Sequence, residues 1–281
     1  MQPWCSLPGR AGASRLALAL LAGLAGCGPS PQPSGATWPG HRYLHASSLP
    51  VAESGEGPAL GSHAILAEEQ GFGHSPARTP PIDTARHGSW FLLFNGGYAS
   101  NAGPPADNKG NLWTALGTPV VYEGYDGAYA VGAWLARSGR GGVDHVVTLP
   151  KSGAPAGELT LPLIELRGVS RLADVSRLYA AAGDTVQSGE VSTTGPAVLV
   201  ALWWGDGYVF DNHAVPGDGF TEIERVLALP PGSAVQCAVA YRRVDRAGHW
   251  RVSWRQAPRQ GAVLWLLAFD DGGPDAAGMA R

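Results

Sequence analysis

Two stretches of this 281-residue chain, AVLVALWW at 197–204 and GAVLWLLAF at 261–269, carry no polar side chain at any position. Both have strand length rather than helix length, and a strand apolar at both parities predicts a central strand covered on both sides or a second apolar surface. That limits the fold to layered β architectures. From about Gly88 onward the theme continues. SWFLLF, NLWTAL, PVVYEG, AYAVGAWLA, DHVVTLP, ELTLPLIEL, GEVSTT, FTEIERVLAL, AVQCAVAYRRV and HWRVSWRQ are short apolar or alternating runs separated by Gly, Pro, Asp and Asn turns. With 40 Gly and 23 Pro, the composition feeds turns rather than helices. The expected fold is all-β, an antiparallel, jelly-roll-like β-sandwich. HWRVSWRQ predicts a half-buried strand, with Trp250, Val252 and Trp254 inward and His249, Arg251, Ser253 and Arg255 toward water. Pro162 inside ELTLPLIEL predicts an edge strand. Only RLADVSRLYAA has helical spacing, through Leu172, Val175, Leu178 and Tyr179. No internal repeat of fixed period is visible.

Residues 1–15 carry Arg10, Arg15 and no acid, and residues 16–26, LALALLAGLAG, are wholly apolar or Gly. The apolar run is shorter than the ~20 residues a spanning helix needs and has the form of a signal peptide. It ends in Leu24, Ala25, Gly26 and Cys27. This LAGC resembles the lipobox of bacterial lipoproteins, over about the first 28 residues only. The resemblance implies removal of residues 1–26, a diacylglyceryl group on the Cys27 sulfur and an acylated new amino terminus. Several acyl chains hold a protein at a membrane where one does not. Gly28, in place of the Asp often found in lipoproteins kept at the inner membrane, implies an outer-membrane address, on the periplasmic or surface face.

Between Gly28 and Pro81 the chain is broken so often by Pro, Gly and Ser that no pattern persists, which predicts a largely disordered tether over 27–81 and a β-sandwich domain over 82–281. His41, His45, His63, His74 and His87 are expected to be solvated residues of that tether and its edge. Without residues 1–26 the 20 Lys and Arg fall to 18 against 23 Asp and Glu, a balance that excludes nucleic acid as an electrostatic partner. Cys5, Cys27 and Cys237 form no metal or disulfide spacing, and Cys237 shares a strand parity with Val235, Val239 and Tyr241, as a small buried hydrophobe would.

Chemistry is most concentrated in LWWGDGYVFDNHAVPGDGF, residues 202–220. Aromatic rings beside carboxylate, amide and imidazole groups suit a sugar-binding surface, so Trp203, Trp204, Asp206, Asp211, Asn212 and His213 are the candidate ligand residues. Adjacent strand residues point to opposite faces, so one of the two tryptophans belongs to the core. ADNKGNLW echoes a calcium loop, but Lys109 stands where an oxygen is needed and the distant Glu is missing. It is expected to be a turn leading to Trp113, with Lys109 in water. No metal and no cofactor are assigned. Glu158 and Glu165, seven apart on a strand rising ~3.3 Å per residue, lie too far apart and on opposite faces for a glycosidase pair. No G-x-S-x-G, H-E-x-x-H, Walker or G-x-G-x-x-G motif is present. His145 and His213 are the remaining acid–base alternatives, and no catalytic residue is assigned.

The expected function is a membrane-anchored lipoprotein presenting a binding or structural module at the cell envelope, to carbohydrate or to another envelope protein. Two alternatives stand beside it: a polysaccharide hydrolase on the same sandwich, and an envelope assembly component without a small ligand.

Overall fold

In the computed structural model, which describes residues 42–49, 57–68, 76–98, 103–124, 127–150, 159–206, 213–226 and 235–272, the two wholly apolar stretches lie side by side within one sheet. The first half of the fold holds β1 (Arg42–Ser47), β2 (Ala59–Glu68), β3 (Ala77–Arg78), β4 (His87–Tyr98), β5 (Ala106–Asp107), β6 (Trp113–Ala115), β7 (Val120–Val121), β8 (Tyr129–Arg140), β9 (Val147–Leu149) and β10 (Leu159–Arg167). The second holds β11 (Arg171–Ala180), β12 (Thr185–Gln187), β13 (Val191–Thr193), β14 (Ala197–Asp206), β15 (Val215–Pro216), β16 (Thr221–Val226), β17 (Val235–Val244), β18 (Gly248–Trp250), β19 (Ser253–Arg255) and β20 (Ala262–Asp270). The expected all-β antiparallel architecture is what the chain adopts.

One large sheet runs β1-β2-β10-β4-β8-β6, with β7 also on β8; the other runs β11-β20-β14-β17-β16. Three small sheets, β3-β9-β5, β12-β19-β15 and β13-β18, complete the fold. These orders contain a repetition. The path β2-β10-β4-β8-β6 and its small sheet β3-β9-β5 recur, strand for strand in chain order, as β11-β20-β14-β17-β16 and β12-β19-β15. The described chain is therefore two jelly rolls in tandem, with β1, β7, β13 and β18 added. The spacing drifts: His87 and Ala197, which open β4 and β14, are 110 residues apart, whereas Leu159 and Ala262, which open β10 and β20, are 103 apart. A search for a fixed period misses such a repeat.

The two large sheets pack face to face. Ile65, Phe94, Leu135 and Ile164 of the first meet Val200, Trp204, Val239, Trp265 and Phe269 of the second in a shared core. Phe94 lies edge-on to Trp265 at 6.1 Å and Trp90 edge-on to Phe269 at 6.4 Å. The outer face of the first sheet carries Leu66, Phe91 and Leu163, covered by Ile82, Val147 and Leu149. The outer face of the second carries Leu199, Trp203 and Leu266, covered by Val186, Val191, Val252 and Trp254. Both faces of β14 and β20 are thus covered, and every residue of both strands is buried. Cys237 is buried in the shared core, and burial pushes its thiol pKa up. The rolls also meet at their edges, with His63 of β2 on Glu224 of β16, and Arg177 of β11 donating at 2.7 Å to the carbonyls of Leu116 and Thr118 beside β6. The first strand of each roll lies against the β6 or β16 side of the other, as an approximate twofold relation requires.

Three expectations change. RLADVSRLYAA is β11, paired with β20 from Arg171 to Ala180. Leu172, Val175 and Tyr179 pack on the shared core, while Ala173, Leu178 and Ala180 pack on the outer one. A strand apolar on two faces, with a register shift between Leu172 and Asp174, imitates helical spacing. The sandwich begins before residue 82, because β1, β2 and β3 fall inside the expected tether and β2 buries Ala64–Ala67. Pro162 is not at an edge, since β10 lies between β2 and β4; its pairing with β4 skips Leu161 and Pro162. Residues 1–41, Cys27 among them, lie outside the described residues.

Gly96 marks a close approach of the two rolls. A Cβ there would stand 2.6 Å from Trp204 Nε1 and 2.7 Å from its Cδ1. Gly96→Val is expected to cost about 1–3 kcal/mol by overpacking, read by urea denaturation. Gly195→Ala, where nothing lies within 4 Å, is expected to stay within about 0.5 kcal/mol.

Candidate functional site

Three buried polar constellations are built around carboxylates. Glu165, fully buried on β10, accepts hydrogen bonds from the backbone N–H of Ser62 (2.9 Å) and Ala85 (2.8 Å), from Ser89 Oγ (2.7 Å) and from Arg167 Nη2 (2.7 Å). It ties β2 and the β3–β4 connection to the sheet. At β16, Glu224 is bracketed by His45 Nδ1 at 2.8 Å and His63 Nδ1 at 2.6 Å. His63 is therefore buried rather than a solvated tether residue, while His45 keeps its ring partly in water although it lies on a strand. They join β1 and β2 of the first roll to the second.

The third constellation organises ADNKGNLW. Asp107 accepts from Lys109 N, Asn111 N, Asn111 Nδ2 and Trp113 Nε1, all at 2.9–3.0 Å, and lies 3.5 Å from His145 Nε2. Burial opposes its ionisation, but hydrogen bonds from His145 and Asn111 and the charge of His145 outweigh burial together and hold its carboxyl well below the usual range. His145 is fully buried edge-on to Phe91 at 4.5 Å, with Thr84 Oγ1 3.4 Å from Nδ1. The oxygens that echo a calcium loop are thus engaged in fixing a turn. Lys109 is not simply in water, because its Nζ donates to the Val143 carbonyl at 2.7 Å.

The candidate ligand stretch is dispersed. Trp204 is fully buried in the shared core, edge-on to Tyr122 at 5.5 Å, and Trp203 is 1% exposed in the outer one. The strand alternation holds, but both rings are core, so neither is available to stack on a sugar. Asp206 is buried as well. His213 is half-buried and accepts from Arg225 Nη1 at 2.8 Å. Asp211 and Asn212 lie outside the described residues.

A different surface collects exposed charge. HWRVSWRQ keeps the expected sidedness but is split at Arg251 and Val252 into β18 and β19, which belong to different small sheets; Val252 and Trp254 are buried, Trp250 half-buried, and His249, Arg251 and Arg255 exposed. Residues directly opposite on paired strands share a face. Arg255 faces Thr185 and Val215, Ser253 faces Gln187, and His249 faces Ser192. The exposed side of β18, the Arg251 connection and β19 therefore carries cationic and neutral hydrogen-bonding side chains in turn. Glu190 balances part of it, 3.1 Å from His249 and 3.4 Å from Arg251. At its border Arg242 lies 4.7 Å over the Trp250 ring and donates to the Asp218 carbonyl, while Trp250 Nε1 donates to Thr193. Asp218 also accepts from Ser253 N, from a turn where Asp218 and Gly219 both have positive φ. Alternation marks which side of this segment is buried and is silent on the charge of the other side. The signal was present: six arginines fall between Tyr241 and Gln260, against one acid, in a chain that is negative overall.

No protein-family model, curated protein or solved structure matches this chain.

The Asp107 turn gives a pH test. Because the native carboxyl ionises below its unfolded value near 4, the stabilisation is complete above that value and is lost as pH falls toward the native one. Asp107→Asn is expected to cost about 1–3 kcal/mol at neutral pH. The deficit should narrow in urea denaturations carried out in acid.

Proposed function

We propose that the chain is a lipid-anchored envelope protein whose second jelly roll binds an acidic glycan on the outer face of its small sheets. The observation that carries this is the row His249, Arg251, Ser253 and Arg255, with Thr185, Gln187 and Ser192 beside it. Guanidinium groups recognise carboxylate and phosphate in a bidentate manner, and neutral amide and hydroxyl groups suit sugar hydroxyls. The anchor reading rests on LAGC and Cys27. Binding is favoured over hydrolysis because Glu165, Glu224 and Asp107, the carboxylates of the constellations described, hydrogen-bond to the protein's own groups.

Two experiments address the two halves of the proposal. A Cys27→Ala variant should stay unprocessed and fail to incorporate radioactive fatty acid; normal labelling would remove the anchor. For the glycan, calorimetry of the mature protein with polygalacturonate should show binding that is lost with its neutral methyl ester. Arg251→Ala and Arg255→Ala should each weaken it about tenfold. Equal affinity for the acidic and esterified polymers would sink the acidic-glycan reading.

A further inference from the structure

We propose that the charged group met by the second roll is a single carboxylate, that of a uronic acid, and that Arg255 is the residue that reads it; the proposal rests on the acidic-glycan reading of this face. Of the cations in the row, Arg255 is the one without an ion pair or hydrogen bond among the described residues. Arg251 lies 3.4 Å from Glu190, which also stands 3.1 Å from His249. Beside the row, Arg259 forks onto Asp184 with Nε and Nη2 at 2.6 and 2.8 Å, and Arg242 lies over Trp250 while donating to the Asp218 carbonyl. With Glu190 set against Arg251, the permanent charge left uncompensated in the row is one guanidinium.

Arg255 is also held in place. It lies on β19, the central strand of β12-β19-β15, with Thr185 opposite on one side and Val215 on the other. Trp254 before it is fully buried. On the surface its guanidinium rests on the bare backbone of Gly217, where a Cβ would stand 3.1 Å from Nε and 3.3 Å from Nη2 of Arg255. Gly217 N donates to Ser253 O at 2.8 Å, which fixes this support to the same strand. A guanidinium positioned before binding, with no internal carboxylate to leave, loses less on taking up a ligand than one that must first be freed and ordered.

The charge balance selects the ligand. One free fork fits one planar carboxylate through two parallel hydrogen bonds, as Arg259 and Asp184 show within the molecule. A densely sulfated or phosphorylated polymer would bring several anions against one free cation and set some of them near Glu190. Thr185, exposed and directly opposite Arg255, places a hydroxyl on the same face, which suits a sugar hydroxyl next to the acid.

The test is calorimetry of the full chain with polygalacturonate and with dextran sulfate. Polygalacturonate should bind the more tightly, and tighter binding of dextran sulfate overturns the carboxylate assignment. Arg255→Lys should weaken polygalacturonate binding about tenfold, like Arg255→Ala, because an ammonium keeps the charge but loses the fork. Arg251→Lys, which keeps the charge set against Glu190, should stay within about twofold of the unaltered protein. Full affinity in Arg255→Lys overturns the role given to Arg255. Gly217→Ala should weaken binding on its own and leave the affinity of Arg255→Ala unchanged; an equal loss in both backgrounds overturns the support assigned to Gly217. Equal affinity of the unaltered protein for polygalacturonate and its methyl ester removes the wider reading together with this one. Discrimination between the two polymers that survives Arg255→Lys at full strength removes this one alone.

Discussion

Trp204 sits between the two large sheets, edge-on to Tyr122 and against the bare backbone of Gly96, where the rolls come close together. That contact exists because each sheet is apolar on the side facing the other. The same strands are apolar on their second side too, where Trp203, Leu264 and Leu266 follow one another in the outer core. A sheet of this kind cannot leave either face in water without exposing large apolar area. It needs two covers. The partner roll supplies one and the short strands of the same roll supply the other, so neither large sheet has a face left over for a ligand cleft. Among the described residues, the small sheets and the loops are what this arrangement leaves facing solvent.

This layering explains which parts of the molecule were legible in the sequence. AVLVALWW and GAVLWLLAF pointed to strands covered on both sides or to a second apolar surface because every position is apolar, and the alternation of HWRVSWRQ set Val252 and Trp254 inward although the run divides into β18 and β19. RLADVSRLYAA misled because its apolar residues are divided between two cores, so that a strand acquired the spacing of a helix. β2 was hidden by neighbouring Gly and Pro and by Ser62 and His63, polar residues whose burial depends on Glu165 and Glu224, far away in sequence. Trp203 and Trp204 looked like a ligand platform because aromatic residues beside turn chemistry carry the same local signature whether the rings face sugar or core. The tandem repeat was invisible because topology and face parity persisted while loop lengths changed.

The buried carboxylates serve the same layered plan. A strand pair secures itself through its ladder, but a connection crossing from a large sheet to a small one has no ladder, and its peptide N–H groups require other acceptors. Glu165 meets this need at Ala85 in the β3–β4 connection, and Asp107 meets it in the β5–β6 turn. Glu224 has a different task, joining two strands of the first roll to the edge of the second through two imidazoles. Ionised groups suit these positions because charge-assisted hydrogen bonds are the stronger kind and one carboxylate accepts several of them.

The duplication also provides an internal comparison for the arginine face. Thr148 of β9 lies opposite both Arg78 and Ala106, as Arg255 of β19 lies opposite both Thr185 and Val215. The two positions are topologically equivalent, and the inward neighbours Val147 and Trp254 are both fully buried. The scaffold therefore asks the same of both strands on the inner side and nothing in particular on the outer one. Along the outer side the first roll has Val146 and Thr148, where the second has Ser253 and Arg255. Because the fold is stable with neutral residues at the first set of positions, the arginines of the second are not a requirement of the jelly roll. The first copy carries its cation of this row, Arg78, on the neighbouring strand opposite Thr148, so the arginine on β19 is a property of the second copy's surface and not of the scaffold.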